Sequence, residues 1–160
     1  DVIYERDSEK LVQKLIDDDI AIEVNLTSND VILGVSGNDH PIILYRDMEV
    51  PYVISTDDEG VSRIDLTHEY MRLFKTYNVP YFELRYVSRN SLTYSFLPGE
   101  SLWKSEACVQ NVAGGNEPAS ECSAFLKGNK KAQLQWELEQ RFKQFEETLR
   151  IPKRKKTSFN

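Results

Sequence analysis

Two adjacent carboxylates, Asp57 and Asp58, close a short apolar run that reads Pro51-Tyr52-Val53-Ile54-Ser55-Thr56-Asp57-Asp58-Glu59-Gly60. Neighbouring carboxylates resist joint ionisation unless a cation, a hydrogen-bond donor or a proton compensates, so the pair suits a metal ion or a polar substrate. The same residues also suit a solvated acidic turn, because Asp and Gly are ordinary loop formers. The element ahead of them weighs on that choice. A brief apolar run reads as a buried strand of a parallel sheet, and ligands collect at the carboxyl ends of such strands. The only two histidines offer less. His40 precedes Pro41 at a helix start, away from a strand end, and reads as structural. His68 falls one turn into a helix beside Asp65 and Glu69 and reads as a surface residue, as Glu59 reads as a turn acid.

The elements that must position the acids follow from periodicity and capping. Asp7 is placed to cap a helix carrying Leu11, Leu15 and Ile16, which ends near Asp17-Asp18-Asp19. Residues 20–26 are rich in strand formers and break at Thr27-Ser28-Asn29-Asp30, a turn-forming and capping cluster. A loop marked by Gly34, Gly37, Asn38, Asp39 and Pro41 leads to a short helix over Ile42-Ile43-Leu44-Tyr45 and Met48, and then to the strand after Pro51. Strand, helix and strand in this order predict parallel neighbours joined by one crossover. Asp65 caps a further helix through Leu66, Tyr70, Leu73 and Phe74. Pro80 opens another with Phe82, Leu84, Val87, Leu92 and Phe96 as an expected core stripe.

Pro98-Gly99 ends that series, and residues 99–129 read as a long polar connection containing Cys108, Cys122 and Gly114-Gly115. A bridge between these two cysteines, the only ones in the chain, closes a loop of about 15 residues and contributes about 3 kcal/mol. Two free thiols are the alternative. A bridge implies an oxidising compartment, periplasmic or secreted, and free thiols a cytoplasmic one. Residues 130–150 predict a final helix with Leu134, Leu138, Phe142, Phe145 and Leu149 on its packed face.

Composition sets the outer limits. At 160 residues, 40% hydrophobic and 29% charged, the chain has the makeup of a globular protein with a core. A formal charge of −6 argues against a nucleic-acid surface, which needs a basic face for phosphates. The one basic cluster, Pro152-Lys153-Arg154-Lys155-Lys156, reads as a solvated tail. No apolar stretch is long enough to span a membrane.

In order and spacing, several short signals resemble the carboxyl-terminal part of the adenosine deaminase family. They are Ile22-Glu23-Val24, Thr27-Ser28-Asn29, His40-Pro41, Ser55-Thr56-Asp57-Asp58, Arg89-Asn90-Ser91-Leu92 and Tyr94-Ser95-Phe96. The resemblance covers roughly residues 1–100, is closest to bacterial and secreted growth-factor-like members, and extends to the final helix. One departure is Asn25-Leu26, where the family often has Cys-Pro.

The resemblance implies an α/β fold: the last two βα units of a (β/α)8 TIM barrel over residues 1–100, followed over 101–160 by a polar loop, helix and basic tail. It implies a zinc-dependent hydrolytic deaminase acting on adenosine or 2′-deoxyadenosine. Asp57 matches the family's catalytic metal ligand and Asp58 the residue that binds the purine, while Ser28 and Asn29 shape the loop at the preceding strand end. By family pattern the remaining ligands, a His-x-His pair and another histidine, and a catalytic glutamate belong to barrel strands upstream of Asp1. The chain alone is therefore expected to be inactive. Two other readings stay open: a non-catalytic scaffold, and a related deaminase acting on another purine or amine.

Overall fold

The computed structural model describes residues 2–112 and 117–149. Gly114-Gly115 and the basic run 152–156 lie outside the described residues. The chain divides between Phe96 and Leu97 into two compact units.

The first unit is an α/β layer around a two-stranded parallel sheet. Its elements are α1 (Ser8–Asp17), β1 (Ile22–Val24), α2 (Leu26–Leu33), α3 (Ile42–Asp47), β2 (Tyr52–Ile54), α4 (Glu59–Ser62), α5 (Leu66–Tyr77) and α6 (Tyr81–Thr93). The strands pair in parallel, Ile22 with Tyr52, Glu23 with Val53 and Val24 with Ile54. Flanking bonds from Ile22 N–H to the Pro51 carbonyl (2.9 Å) and from Ser55 N–H to the Val24 carbonyl (3.1 Å) extend the ladder by one residue at each end. The strand expected over residues 20–26 is shorter than its composition suggests. Ile20 N–H is taken by the Leu15 carbonyl at 2.8 Å, so Ile20 belongs to the end of α1. At the other end Asn25 already stands at the N-cap of α2.

Tyr52, Ile54 and Val24 are buried in one core with Leu26, Ile42, Tyr45, Val50, Leu73, Val79 and Val87. Glu23, on the alternate face, is exposed. The α1 stripe is rotated from expectation: Val12 is the fully buried residue, Leu15 and Ile16 pack beside it, and Leu11 is 38% exposed. Asp7 precedes this helix in a left-handed conformation and its carboxylate meets Lys10 instead of capping a backbone N–H. Asp65 does cap α5, accepting the His68 N–H at 2.7 Å. In α6, Val87 is buried and Leu84 packs beside it, but Phe82 stands in solvent and Phe96 lies past the helix end, also exposed, so the expected stripe holds only in its middle. Asn90 ties α6 to the sheet, donating its amide to the Tyr52 carbonyl at 2.9 Å.

The second unit corrects the expectation of a long irregular connection. It contains a 3-10 turn (Leu102–Lys104), α7 (Glu106–Val112), α8 (Ser120–Leu126) and α9 (Lys130–Leu149). Cys108 and Cys122 are disulfide-bonded and fully buried, with Leu102, Leu126, Ala132 and Trp136 around them. The face that α9 buries is Ala132, Gln135, Trp136 and Glu139. Leu134, Leu138 and Phe142 are only half-buried, and Phe145 and Leu149 are exposed. Gln135 is drawn inside because its carbonyl accepts the Leu102 N–H at 2.7 Å. Gly99, near the start of this unit, has φ +101°, and a Cβ there would lie 2.7 Å from Asn129 Oδ1 and 2.9 Å from Asn129 Cα, so only glycine fits.

Candidate functional site

Because β1 and β2 are parallel and in register, their carboxyl ends lie side by side and release Asn25 to Asp30 next to Ser55 to Asp58. The Thr27-Ser28-Asn29-Asp30 run, expected as a turn, is the first half of α2. Its four side chains are engaged by four different residues. Thr27 meets Glu69, Ser28 meets Asp57, Asn29 meets His40, and Asp30 meets Arg72. Such side chains compete with helical backbone when free, and tertiary partners remove that competition.

Asp57 sits beyond the end of β2 at φ +53°, a left-handed conformation tolerated by Asp better than by most residues. Its Oδ2 accepts the Ser28 hydroxyl at 2.8 Å, and its carbonyl accepts the Glu59 N–H at 2.9 Å. The carboxylate is exposed. One hydrogen bond on one oxygen fixes the group's direction and leaves its other lone pairs open. Asp58 takes the N-cap position of α4 but its side chain makes no capping bond. Its carboxylate is exposed too.

The donor chemistry at Asp57 fits a metal ligand: an oriented carboxylate with free lone pairs at a strand end. It fits as one member of a larger set. Among the described residues, no three His, Cys, Asp or Glu side chains come together as a shell.

His40 contributes structure. It is buried, its Nδ1 accepts the Ile42 N–H at 3.0 Å, and its Nε2 lies 3.1 Å from the Asn29 amide. A ring accepting at Nδ1 carries its neutral-state proton on Nε2, which calls for the amide oxygen of Asn29 on that side. Burial, and then the Arg72 charge, hold the His40 pKa below its usual value, so the neutral ring is favoured. His68 is exposed, as expected, and so is Glu59.

Glu69 is the residue that sequence reasoning passed over. It is fully buried on α5 and takes two donors from Thr27, the backbone N–H at 3.2 Å and the hydroxyl. The one signal for it was spacing, since Glu69 and Arg72 lie one turn apart and share a face of α5. Arg72 reaches the same cluster, its NH1 donating to Thr27 Oγ1 at 3.3 Å and its NH2 to Asp30.

Residues 3–109 match the family model for adenosine deaminase. Among curated relatives, an adenosine deaminase of Clostridium acetobutylicum is 29% identical over 99 residues, covering 61% of this chain and 30% of that protein. One of Clostridium perfringens strain 13 is 33% identical over 82 residues, 51% of this chain and 25% of that protein. One of Shewanella denitrificans is 34% identical over 89 residues, 55% of this chain and 27% of that protein. The match thus spans 30% or less of each of these relatives. No solved structure matches.

Proposed function

This chain belongs to the adenosine deaminase family, and on that premise we propose that it supplies the last two βα units of a (β/α)8 barrel whose other strands lie upstream. The completed protein hydrolyses adenosine or 2′-deoxyadenosine to the inosine-type product and ammonia. The observation that carries this reading is the Ser28 to Asp57 hydrogen bond of 2.8 Å, which joins the carboxyl ends of two parallel strands. Barrel enzymes place their chemistry at that end of their strands.

In this assignment Asp57 would be one ligand of a zinc ion, with histidines from upstream strands as the others and a position left open for water. Zinc held there would lower the pKa of a water molecule toward neutrality and so supply a hydroxide nucleophile. Ser28 holds one Asp57 oxygen so that the other is presented. Asp58, exposed one residue on, faces the purine and orients the base. With the remaining ligands and the proton-moving glutamate assigned to upstream strands, the 160 residues alone are expected neither to deaminate nor to bind zinc tightly. The buried Cys108 to Cys122 disulfide favours a periplasmic or secreted protein.

The test is ammonia release by the full-length protein from adenosine, 2′-deoxyadenosine, AMP and adenine. Turnover of the two nucleosides above AMP and adenine is expected. Preference for AMP or adenine would move the assignment to a related deaminase, and no turnover of any of them would leave a scaffold.

A further inference from the structure

The carboxylate of Glu69 is wholly enclosed, and both of its oxygens are given to one residue, Thr27, on a different helix. A carboxyl group wholly buried at a helix start calls for a purpose beyond packing, because an apolar side chain would fill the space at lower desolvation cost. Its position suggests one. Thr27 immediately precedes Ser28, whose hydroxyl orients Asp57, and Glu69 holds Thr27 by both backbone and side chain. Arg72, one turn along α5, adds a second hold through Thr27 Oγ1 and the Asp30 carboxylate. Helix α5 follows Asp57 in the chain, so the segment carrying the acid also grips the helix that aims it.

We propose that Glu69 is a positioning residue for Asp57, fixing the first turn of α2 so that the Ser28 hydroxyl stays on the carboxylate. This rests on the reading of Asp57 as a site ligand. Glutamine is the informative replacement: its one oxygen can keep the Thr27 N–H, but its NH2 then turns to the Thr27 hydroxyl, which loses its acceptor and must accept a second donor beside Arg72. Outer partners of ligating carboxylates typically change activity by about 10- to 100-fold when altered.

The experiment uses the full-length protein with Glu69→Gln, Ser28→Ala and the double variant. Glu69→Gln is expected to lower kcat for adenosine by about 10- to 100-fold, with KM changed less than about threefold, because the loss falls on the reacting geometry. In the Ser28→Ala background the same change should cost less than about threefold, since the linkage it acts through is already gone. Amide exchange at Thr27, Ser28 and Asn29, which needs no catalysis, should speed up while the amides of β2 stay protected. Thr27→Ala, which removes only the hydroxyl donor, is read in the same way if Glu69→Gln does not fold. Unchanged exchange at these amides, or an equal Glu69→Gln loss with and without Ser28, overturns the positioning role. A full-length protein that deaminates no nucleoside yet shows the exchange response would overturn the functional reading and leave the clamp standing.

Discussion

The ion pair between Arg46 and Glu83 offers a quantitative test of how the first unit is held. Arg46 Nε and NH2 donate to the two carboxylate oxygens of Glu83 at 2.6 and 2.8 Å, and the Tyr52 hydroxyl donates to the first of them at 2.9 Å. Arg46 NH1 also reaches the Tyr77 carbonyl at 3.1 Å, so one guanidinium joins α3, α5 and α6. The side chains are 23% and 18% exposed, between a surface pair and a buried one. Exposed pairs contribute up to about 1 kcal/mol and breaking a buried one costs about 3–5, which places Glu83→Gln near 2 kcal/mol.

For a unit the size of residues 1–96 that loss corresponds to a fall in Tm of about 8–16 °C. The pH dependence carries a definite sign. Burial opposes ionisation of Glu83, but the hydrogen bonds from Arg46 and Tyr52 and the Arg46 charge outweigh it and lower its pKa. A carboxylate whose folded pKa is depressed stabilises the fold above its unfolded pKa, and that contribution is lost as pH falls through the folded value. The gap between wild type and Glu83→Gln should therefore be full at pH 7 and begin to close below about pH 4.3. Urea unfolding followed by tyrosine signals reads this unit, because all eight tyrosines lie before Leu97 and both tryptophans after Phe96. A gap below about 0.5 kcal/mol at neutral pH, or one that does not narrow in acid, refutes the reasoning.

Replacing Cys108 and Cys122 by serine should destabilise the second unit by about 3 kcal/mol, the entropy of a loop of about 15 residues, and tryptophan fluorescence reads it. Movement of the tyrosine-monitored midpoint instead would assign the bridge to the wrong unit. Asp65→Ala removes the side-chain acceptor of the His68 N–H at the start of α5 and should cost about 1 kcal/mol in urea unfolding, with no change on this substitution counting against the cap.

The acid pair and the strands before it were legible because the signals are local: an apolar run, a parallel repeat and two carboxylates in sequence. Helix α2 was not. Thr27, Ser28, Asn29 and Asp30 have the composition of a turn, and what makes them helical is four partners elsewhere in the chain, including Glu69 at a separation of 42 residues. The same limit hid Glu69 itself, whose burial depends on a contact that no periodicity encodes. Helices α7 and α8 are seven residues each, too short for an apolar repeat to stand out in Glu-, Ser- and Asn-rich sequence. In α9 the apolar stripe pointed to Phe145 and Leu149, while the buried face is built on Ala132, Trp136 and two polar residues whose packing is tertiary.

The assignment of Asp57 is tested most directly by Asp57→Asn in the full-length protein, assayed for bound zinc and for ammonia release from adenosine. Asparagine tolerates the left-handed backbone and keeps an acceptor for Ser28, so stability should stay within about 0.5 kcal/mol. Zinc occupancy and deamination should both fall, the latter by more than about 100-fold, since a ligand is lost and not merely its support. A folded Asp57→Asn protein that retains its zinc and deaminates adenosine at the wild-type rate would contradict the role given to Asp57.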